Sequence, residues 1–600
     1  MENTEPTASV PETVECLKDG TVLIAGGGPV GLVLATTLAF YGVSSVVLER
    51  NETTTRWPKM DLTNARSMEI FRKLGLADDL RAQGLNEEEN LTAWNHDSVD
   101  NYRQKIATQN DGTLPLEPYQ RLSQSVFEAW LKKLSDKNEL IDLRFGSKVE
   151  SVLETDAATS VIVTDIKTDK KRKIVSRCIA ACDGASSKLR RGLGIPLDGG
   201  PVPTFTLLIH FKSKDLTRLH RQGLFWHIFF IGEGTFHGAI IAQDEKDTWT
   251  THLSLPLDTD PDTIDSYEAV YKVLGGTGLS YKIKIDEILV RSTYRPSIAV
   301  ARKYISPKGT ILLAGDAAHQ NIPTGGYGMN MGLGDAFDLG WKIAMFVKGH
   351  GGPALLQSYE DDRRPVALNT IERSGVHTQV HIKGAGLMTV PYSELNSDAG
   401  KEAKKRVHEH YQENDGENTD LGIEMDYRYK SSICIADPTM DEPEWKPSVY
   451  TPSTFPGSRA PHVFLEDGSA IFDHFGKYFS LIDFRTEDET QSNAELLLDS
   501  AAKKNFPLKH VKLQNENHAR KIWGNVPLVV VRPDGHVAWR GSAVNAASAV
   551  EIIDRIAGIT EEAQTSVQHV NNLSKMFSGT VGVTVQDTKY ELDKMGAFQA

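Results

Sequence analysis

The stretch TVLIAGGGPVGLVLATTLAFYGVSSVVLER, Thr21 to Arg50, decides the fold. Thr21 to Ala25 is a short apolar strand, Gly26-Gly27-Gly28-Pro29-Val30-Gly31 follows it, Gly31 to Tyr41 is an apolar helix, and SSVVLER is a second strand ending at Glu49. This is a βαβ unit. A side chain at Gly26 or Gly28 would block the tight turn and the approach of a pyrophosphate to backbone amides, and Gly31 lets helix and strand pack closely. Pro29 and Val30 sit at the helix N-terminus, whose partial positive charge favours phosphate. Glu49 lies about 20 residues on, where a carboxylate accepts ribose hydroxyls, and Arg50 stands beside it. With strand, helix, second strand and acid all in place, the unit reads as dinucleotide-binding rather than as a structural glycine turn.

Two later stretches repeat this chemistry. RCIAACDGASSKLRRGLG (Arg177 to Gly194) has an apolar run, then Asp183-Gly184 and a basic helix start. GDAAHQNIPTGGYGMN (Gly315 to Asn330) follows the apolar TILLA and precedes MGLGDAFDLGWKIAMFV, which has a helical period. An NAD-only domain has little reason to return to phosphate-friendly turns three times. A large cofactor crossing the whole domain explains all three.

The chain has 600 residues, more than one hydrophobic core usually supports, so two or three domains are expected. Its composition is that of a soluble globular chain, and its net charge of -14 argues against nucleic-acid binding. It has no run of about 18 apolar residues and no leader pattern, which reads as cytoplasmic, with no membrane partner. Four cysteines, Cys16, Cys178, Cys182 and Cys434, make neither a disulfide framework nor a zinc pattern and read as buried free thiols. No metal site is expected. P-loop and HExxH motifs are absent from the sequence.

The trio GGGPVG, CDGASSKLR and GDAAHQNIPTGGYGMNMGLGDAFDLGWKIA resembles the FAD-dependent aromatic hydroxylases, the single-component class A flavoprotein monooxygenases of the para-hydroxybenzoate hydroxylase fold. MDLTNARSMEIFRKLGL (Met60 to Leu76) and the long C-terminal extension are similar to the phenol hydroxylase and dichlorophenol hydroxylase branch. The resemblance implies tightly bound FAD, reduced by NADPH or NADH acting as a transient co-substrate. Oxygen then adds as a C4a-hydroperoxyflavin, whose terminal oxygen attacks an electron-rich phenol ring. It implies an α/β fold: a Rossmann-like FAD-binding domain (21–200 and 301–375), an inserted antiparallel substrate-binding sheet (201–300), a helical or lid linker (376–450) and a thioredoxin-like domain (451–560). Residues 1–20 and 561–600 read as tails. It also implies a homodimer.

Carried over by resemblance, Asp316 accepts a hydrogen bond from the ribityl chain. Gly325, Gly326, Gly328, Met329 and Asn330 present amides and a helix N-terminus to the pyrimidine edge of the flavin, and Pro323 lies over the ring. Gln124, in RLSQSVFEAWL, stands beside the flavin, and Glu49 holds the adenosine ribose. Asp183 and Gly184 match a motif linked to cofactor and nicotinamide binding. Arg121 reads either as a phosphate contact or as a solvated arginine at a helix start. A phenolate is the better nucleophile, so a base or hydrogen-bond acceptor at the phenol oxygen is expected. Asp61 matches that position and Tyr294, in VRSTYR, its partner.

Residues 201–300 read mainly as strands. Trp226 and His227, read as mid-strand in LFWHIFF, are expected on opposite faces, so at most one faces the pocket. His227 is either a core histidine or a contact to the phenol oxygen. ENDGENTDLGIEMDY reads as an exposed acidic loop or lid. Residues 451–560 contain no cysteine, which excludes dithiol chemistry there, and PDGHVAWRG signals a hairpin with Asp534-Gly535 in its turn. Three functions follow. The first is hydroxylation of a phenol, dihydroxybenzene or hydroxybenzoate, with or without loss of a ring substituent. The second is epoxidation or Baeyer–Villiger oxidation of a polyketide-type substrate with the same cofactor. The third is a non-catalytic flavin-binding interaction protein.

Overall fold

Val22–Ala25 is wholly buried and forms the middle of five parallel strands, in the order Ile311–Leu313, Ile179–Ala181, Val22–Ala25, Ser45–Glu49 and Ile141–Phe145. Strands covered on both faces read as unbroken apolar runs, which is why VLIA, SVVLE and ILL do not alternate. The computed structural model describes residues 13–57, 60–83, 99–156, 158–217, 225–244, 246–486 and 493–559. The first twelve residues of the expected tail 1–20, and the expected tail 561–600, lie outside these.

The helix Pro29–Phe40 follows the glycine turn and packs on Tyr327–Val347. The approach is so close that a Cβ at Gly340 would stand 2.5 Å from Thr37 Cγ2. Residues Tyr327–Val347 are almost continuously buried, as an apolar helix in the middle of a large core must be.

The antiparallel sheet is ordered His227–Gly232, Thr235–Ala242, Thr248–Pro256, Thr204–Lys212 and Glu287–Tyr294. In the C-terminal part, Leu508–Lys512, Phe479–Asp483, Leu528–Val531 and Val537–Gly541 form a four-stranded sheet. Alternation decides how this sheet is held. Leu528 and Val530 point into the main core, where Phe479 meets the Trp341 ring at 5.7 Å, while Val529 and Val531 point into a separate cluster around Trp523. The sheet is thus welded to the parallel-sheet core.

Five expectations are corrected by the fold. Residues 13–20 are not tail: Thr13–Cys16 pairs in parallel with Lys171–Ser176, and Cys16 is exposed rather than buried. The helix Pro353–Leu387 runs well past residue 375. The stretch ENDGENTDLGIEMDY is not an exposed loop throughout, since it carries the short helices Gly416–Thr419 and Leu421–Met425, and the linker around it also contains the helix Asp398–Glu413. There Ala403, Ile423, Met425 and Tyr429 are buried, and these scattered apolar contacts replace the periodicity that sequence reading looks for. Finally, Trp226 precedes the strand that begins at His227, so alternation does not separate the two.

Candidate active site

A cavity of about 1160 Å³ lies between the glycine turns and the antiparallel sheet. This exceeds the usual range of roughly 300–1,000 Å³ for one ligand and accommodates a cofactor and a substrate together. Gly28, Pro29, Val30, Gln124, Gly184, Asp316, Pro323, Gly325, Gly326, Gly328 and Met329 line its floor. Asp61, His227 and Tyr294 line its sheet side.

The floor is built by backbone crowding. Gly26 has φ +108, and a Cβ there would meet Cys182 O at 2.1 Å; a Cβ at Gly31 would meet Gly26 O at 1.9 Å. These glycines make the turn possible. Gly28 and Gly328 are different, because an added Cβ would find nothing within 4 Å and neither has a left-handed backbone; Gly184 also has open space, but its φ of +77 favours glycine by itself. All three border the cavity, so the bareness of Gly28 and Gly328 serves whatever fills it. Asp183 accepts from the Lys188 and Leu189 amides through Oδ2, capping the next helix, and its buried Oδ1 has no partner. Asp183 itself does not line the cavity; the bare backbone cradle of Gly28 and Gly328 at a helix N-terminus is what fits a large phosphate-bearing cofactor.

Glu49 fastens the first turn. Its Oε2 accepts the Gly27 N–H at 2.8 Å and its Oε1 accepts the Asn51 N–H at 2.8 Å, while Arg50 is exposed. Asp316 is exposed between buried neighbours and faces the cavity. The turn beneath it is held by Asp335, which accepts from the Gly315 N–H at 3.0 Å, from His319 at 2.6 Å and from Arg363 at 2.8 Å. Burial alone would raise the Asp335 carboxyl, but the His319 and Arg363 charges hold it at about 2. Sequence reading missed this clamp, although Asp335 stands inside the quoted GLGDAFDLG.

The Asn330 side chain is not turned to the cavity. Its Oδ1 accepts from the Asn64 N–H and the Ser67 hydroxyl, and its Nδ2 donates to Leu62 O and Gly326 O. It ties the strand after Asp61 to the glycine loop, which fixes the distance between the two sides of the site. Gln124 donates to Glu128 at 2.7 Å.

Asp61 is the centre of a charged cluster. The Trp226 indole N–H donates to its Oδ2, His227 Nε2 lies 3.7 Å away and the Arg121 guanidinium 3.6 Å away. Arg121 is buried, stacks on Trp226 at 4.6 Å and donates to Ala242 O. It is therefore neither solvated nor at a helix start; it lies in the short strand Gln120–Arg121 and braces the sheet side of the cavity through Trp226 and Ala242. Trp226 and His227 both reach the cavity, against the expectation that one would turn away. Burial would raise the Asp61 carboxyl, but the His227 hydrogen bond and charge, then Arg121 and Trp226, bring it to about 2. Its ionisation therefore stabilises the fold above about pH 4, and that contribution is lost as pH falls towards about 2.

Tyr294 ends its strand at the cavity, with burial raising its phenol. His252, 6.4 Å from it ring to ring, is pushed down to about 4 by burial, and its Nε2 has no partner. Asp61→Asn is expected to lower kcat/KM by about 10- to 100-fold, the worth of a hydrogen bond to a charged group. The acidic limb of the pH profile should stay where it is, because Asp61 is already ionised across that range. A limb that moves with Asp61→Asn would assign the titration to this residue.

Among the described residues no group of side chains has metal-binding geometry, and no helix is long and apolar enough to cross a membrane. Residues 19–374 match the FAD binding domain family, and residues 453–559 match the C-terminal domain of aromatic-ring hydroxylases. The chain belongs to this family of FAD-dependent aromatic-ring monooxygenases. It is 47% identical over 582 residues to the FAD-dependent monooxygenase apdD of Emericella nidulans, covering 93% of this chain and 92% of that one. Among solved structures it is similar to the rebeccamycin biosynthetic enzyme RebC with reduced flavin (TM-score 0.76, 30% identity, 92% of this chain and 100% of that chain). It is also similar to the flavin-dependent monooxygenase PieE in complex with FAD and substrate (TM-score 0.77, 26% identity, 91% and 100%).

Proposed function

We propose that this enzyme hydroxylates a phenolic aromatic ring, using FAD, NAD(P)H and oxygen. The observation that carries the reading is one cavity with a bare glycine cradle on its floor and the Asp61, Trp226, His227 and Arg121 cluster on its sheet side. Gly28, Gly184, Asp316 and the Gly325 to Met329 loop hold the cofactor, and bound FAD supplies the oxygen-activating redox chemistry. The rest falls to the protein. The Asp61 carboxylate accepts hydrogen bonds from the polar end of the substrate ring, with His227 and Tyr294 fixing its position. The Arg121 guanidinium stacked on Trp226 keeps this wall rigid, and the antiparallel sheet shuts out water.

Oxygen uptake by the purified holoenzyme with NADH or NADPH, over a panel of phenols and with products identified by mass spectrometry, tests the reading. The expected result is substrate-stimulated uptake with one oxygen added to the ring. Uptake that gives only peroxide with every phenol would overturn the phenolic substrate class; retention of no flavin would overturn the cofactor reading.

A further inference from the structure

A row of rings runs along one wall of the cavity, away from Asp61. Trp226 meets His227 at 5.0 Å, His227 meets Phe229 at 5.9 Å, Phe229 meets His381 at 4.7 Å and His381 meets Tyr411 at 5.8 Å. Every one of these rings lines the cavity. His227 and Phe229 are two apart in one strand and so share a face, which carries the wall from the first polar cluster to a second.

In that second cluster His381 Nε2 lies 2.5 Å from Glu417 Oε2, and His381 Nδ1 lies 3.3 Å from Tyr411 Oη. The other Glu417 oxygen accepts the Gly325 N–H at 2.8 Å. Burial would raise the Glu417 carboxyl, but the His381 hydrogen bond and charge, with the Gly325 amide, hold it below its ordinary value. An ionised carboxylate only accepts, so the proton between the two belongs to His381 Nε2. In the neutral ring Nδ1 is then the acceptor, and the Tyr411 hydroxyl donates to it. The remaining lone pairs of Tyr411 are free to accept from a ligand.

Two further features support this arrangement. Gly384 lies three residues beyond His381 on the same helix face, and a Cβ there would stand 2.8 Å from Tyr411 Oη. The missing side chain makes room for the hydroxyl. At the other end of the wall, Asp61 at about 2 is a hydrogen-bond acceptor but a poor proton acceptor. The surrounding groups are His377, Arg373 and Tyr327 from the long helices and Asp415, Asp420 and Glu424 from the 414–425 segment. His377 is kept low by burial and donates or accepts at Tyr327 Oη, 3.0 Å away, so it is tied up elsewhere.

We propose that Tyr411, His381 and Glu417 form a proton relay that binds and deprotonates a second acidic oxygen of the substrate. The substrate O–H proton passes to Tyr411 Oη as the Tyr411 proton passes to His381 Nδ1. The substrate oxyanion is left accepting from the re-protonated Tyr411 hydroxyl, behind which stands an imidazolium paired with Glu417, so charge and protons balance. This rests on the hydroxylase reading and sharpens its substrate class: an aromatic molecule longer than one phenol ring, with an acidic oxygen at each end.

The relay is tested on the full-length holoenzyme by NMR of isotope-labelled histidine, with His381 assigned through His381→Gln. The expected result is the Nε2–H tautomer, with an Nδ1 resonance that shifts in Tyr411→Phe. An Nδ1 that carries a proton in the resting enzyme, whether as the Nδ1–H tautomer or as an imidazolium, or an Nδ1 resonance unmoved by Tyr411→Phe, overturns the relay. The substrate class is tested with para,para-biphenol against para-phenylphenol, which differ by one hydroxyl, titrated into the oxidised holoenzyme and followed by flavin absorbance. The diol is expected to bind about tenfold tighter, and Tyr411→Phe to erase that ratio. Equal binding of the two, or no binding of the diol, overturns the two-oxygen class. Neither result bears on the hydroxylase reading, which stands or falls on the oxygen-uptake panel.

Discussion

Gly28→Val is expected to give a folded, colourless protein. Gly28 has extended backbone angles that any residue adopts, and a Cβ there meets no protein atom within 4 Å. The side chain would instead enter the cavity beside Pro29 and Val30, at the N-terminus of the helix that follows the turn. The fold loses at most about 1 kcal/mol, from an apolar residue at a helix N-cap. FAD affinity is expected to fall at least about 100-fold, or about 2.7 kcal/mol, because the backbone no longer admits the pyrophosphate. Flavin absorbance of the purified protein and calorimetric titration with FAD measure this, and thermal unfolding of the apo forms shows whether the fold survived. Gly31→Ala makes the contrast. Its Cβ would stand 1.9 Å from Gly26 O, so there the fold itself fails. A yellow Gly28→Val protein with unchanged FAD affinity would remove the cradle from the cofactor site.

Arg532→Met is expected to destabilise the protein by about 3–5 kcal/mol, the usual consequence of removing one partner from a buried ionic cluster. Arg532 is completely buried and donates to Asp362 at 2.9 Å, Asp338 at 3.0 Å and Asp534 at 2.7 Å. Its guanidinium also stacks over Tyr429 at 4.6 Å and Trp341 at 5.3 Å. Lys342 is the other cation bonded to Asp338 and Asp362. The cluster joins the helix Tyr327–Val347, whose N-terminus borders the cavity, to the C-terminal sheet, so its loss loosens the site from behind.

The sign of the pH dependence follows from Asp338. Burial pushes its carboxyl up to about 7, against the pull of Lys342 and Arg532 and with the push of Asp534 and Asp362. A carboxyl raised above its ordinary 3.8 favours the fold while protonated, so its contribution is lost as pH rises from about 4 to about 7. Without Arg532 the folded value rises further. Arg532→Met is therefore expected to lie closest to the unmutated protein at the acid end of this window and furthest from it above about pH 7. Denaturant midpoints at both ends of the window check this, and equal losses at the two ends would rule out the carboxylate explanation.

The first glycine turn was legible because everything it needs lies within thirty residues: a strand, a turn with no room for Cβ atoms, and a helix start. The same holds for the Asp183 and Asp316 loops, each a strand end followed by glycine. The wall opposite was harder. Asp61 could be marked as a site residue, but its partners Trp226, His227 and Arg121 come from other elements, with Trp226 165 residues away. Periodicity misplaced Trp226, since alternation applies only inside a strand and the strand begins one residue later. Arg121 was misread because a buried arginine and a solvated one look alike in a sequence.

The segment 395–450 shows the limit most clearly. Its charge-rich composition reads as solvated, yet Glu417 accepts the Gly325 amide and pairs with His381 of the preceding long helix, and Tyr411 lines the cavity. Polar residues there are bonded to one another and to the glycine loop, and composition does not reveal whether a carboxylate faces water or an imidazole.

By itself, the sequence determined the parallel-sheet core and its three glycine turns, because strand burial and glycine turns are set by local sterics and short-range spacing. Only the tertiary structure decided which side chains share the cavity, that two polar clusters stand on its walls and how the C-terminal sheet is welded to the core. Those outcomes depend on contacts between residues hundreds of positions apart, and long-range packing leaves no periodic mark on the chain.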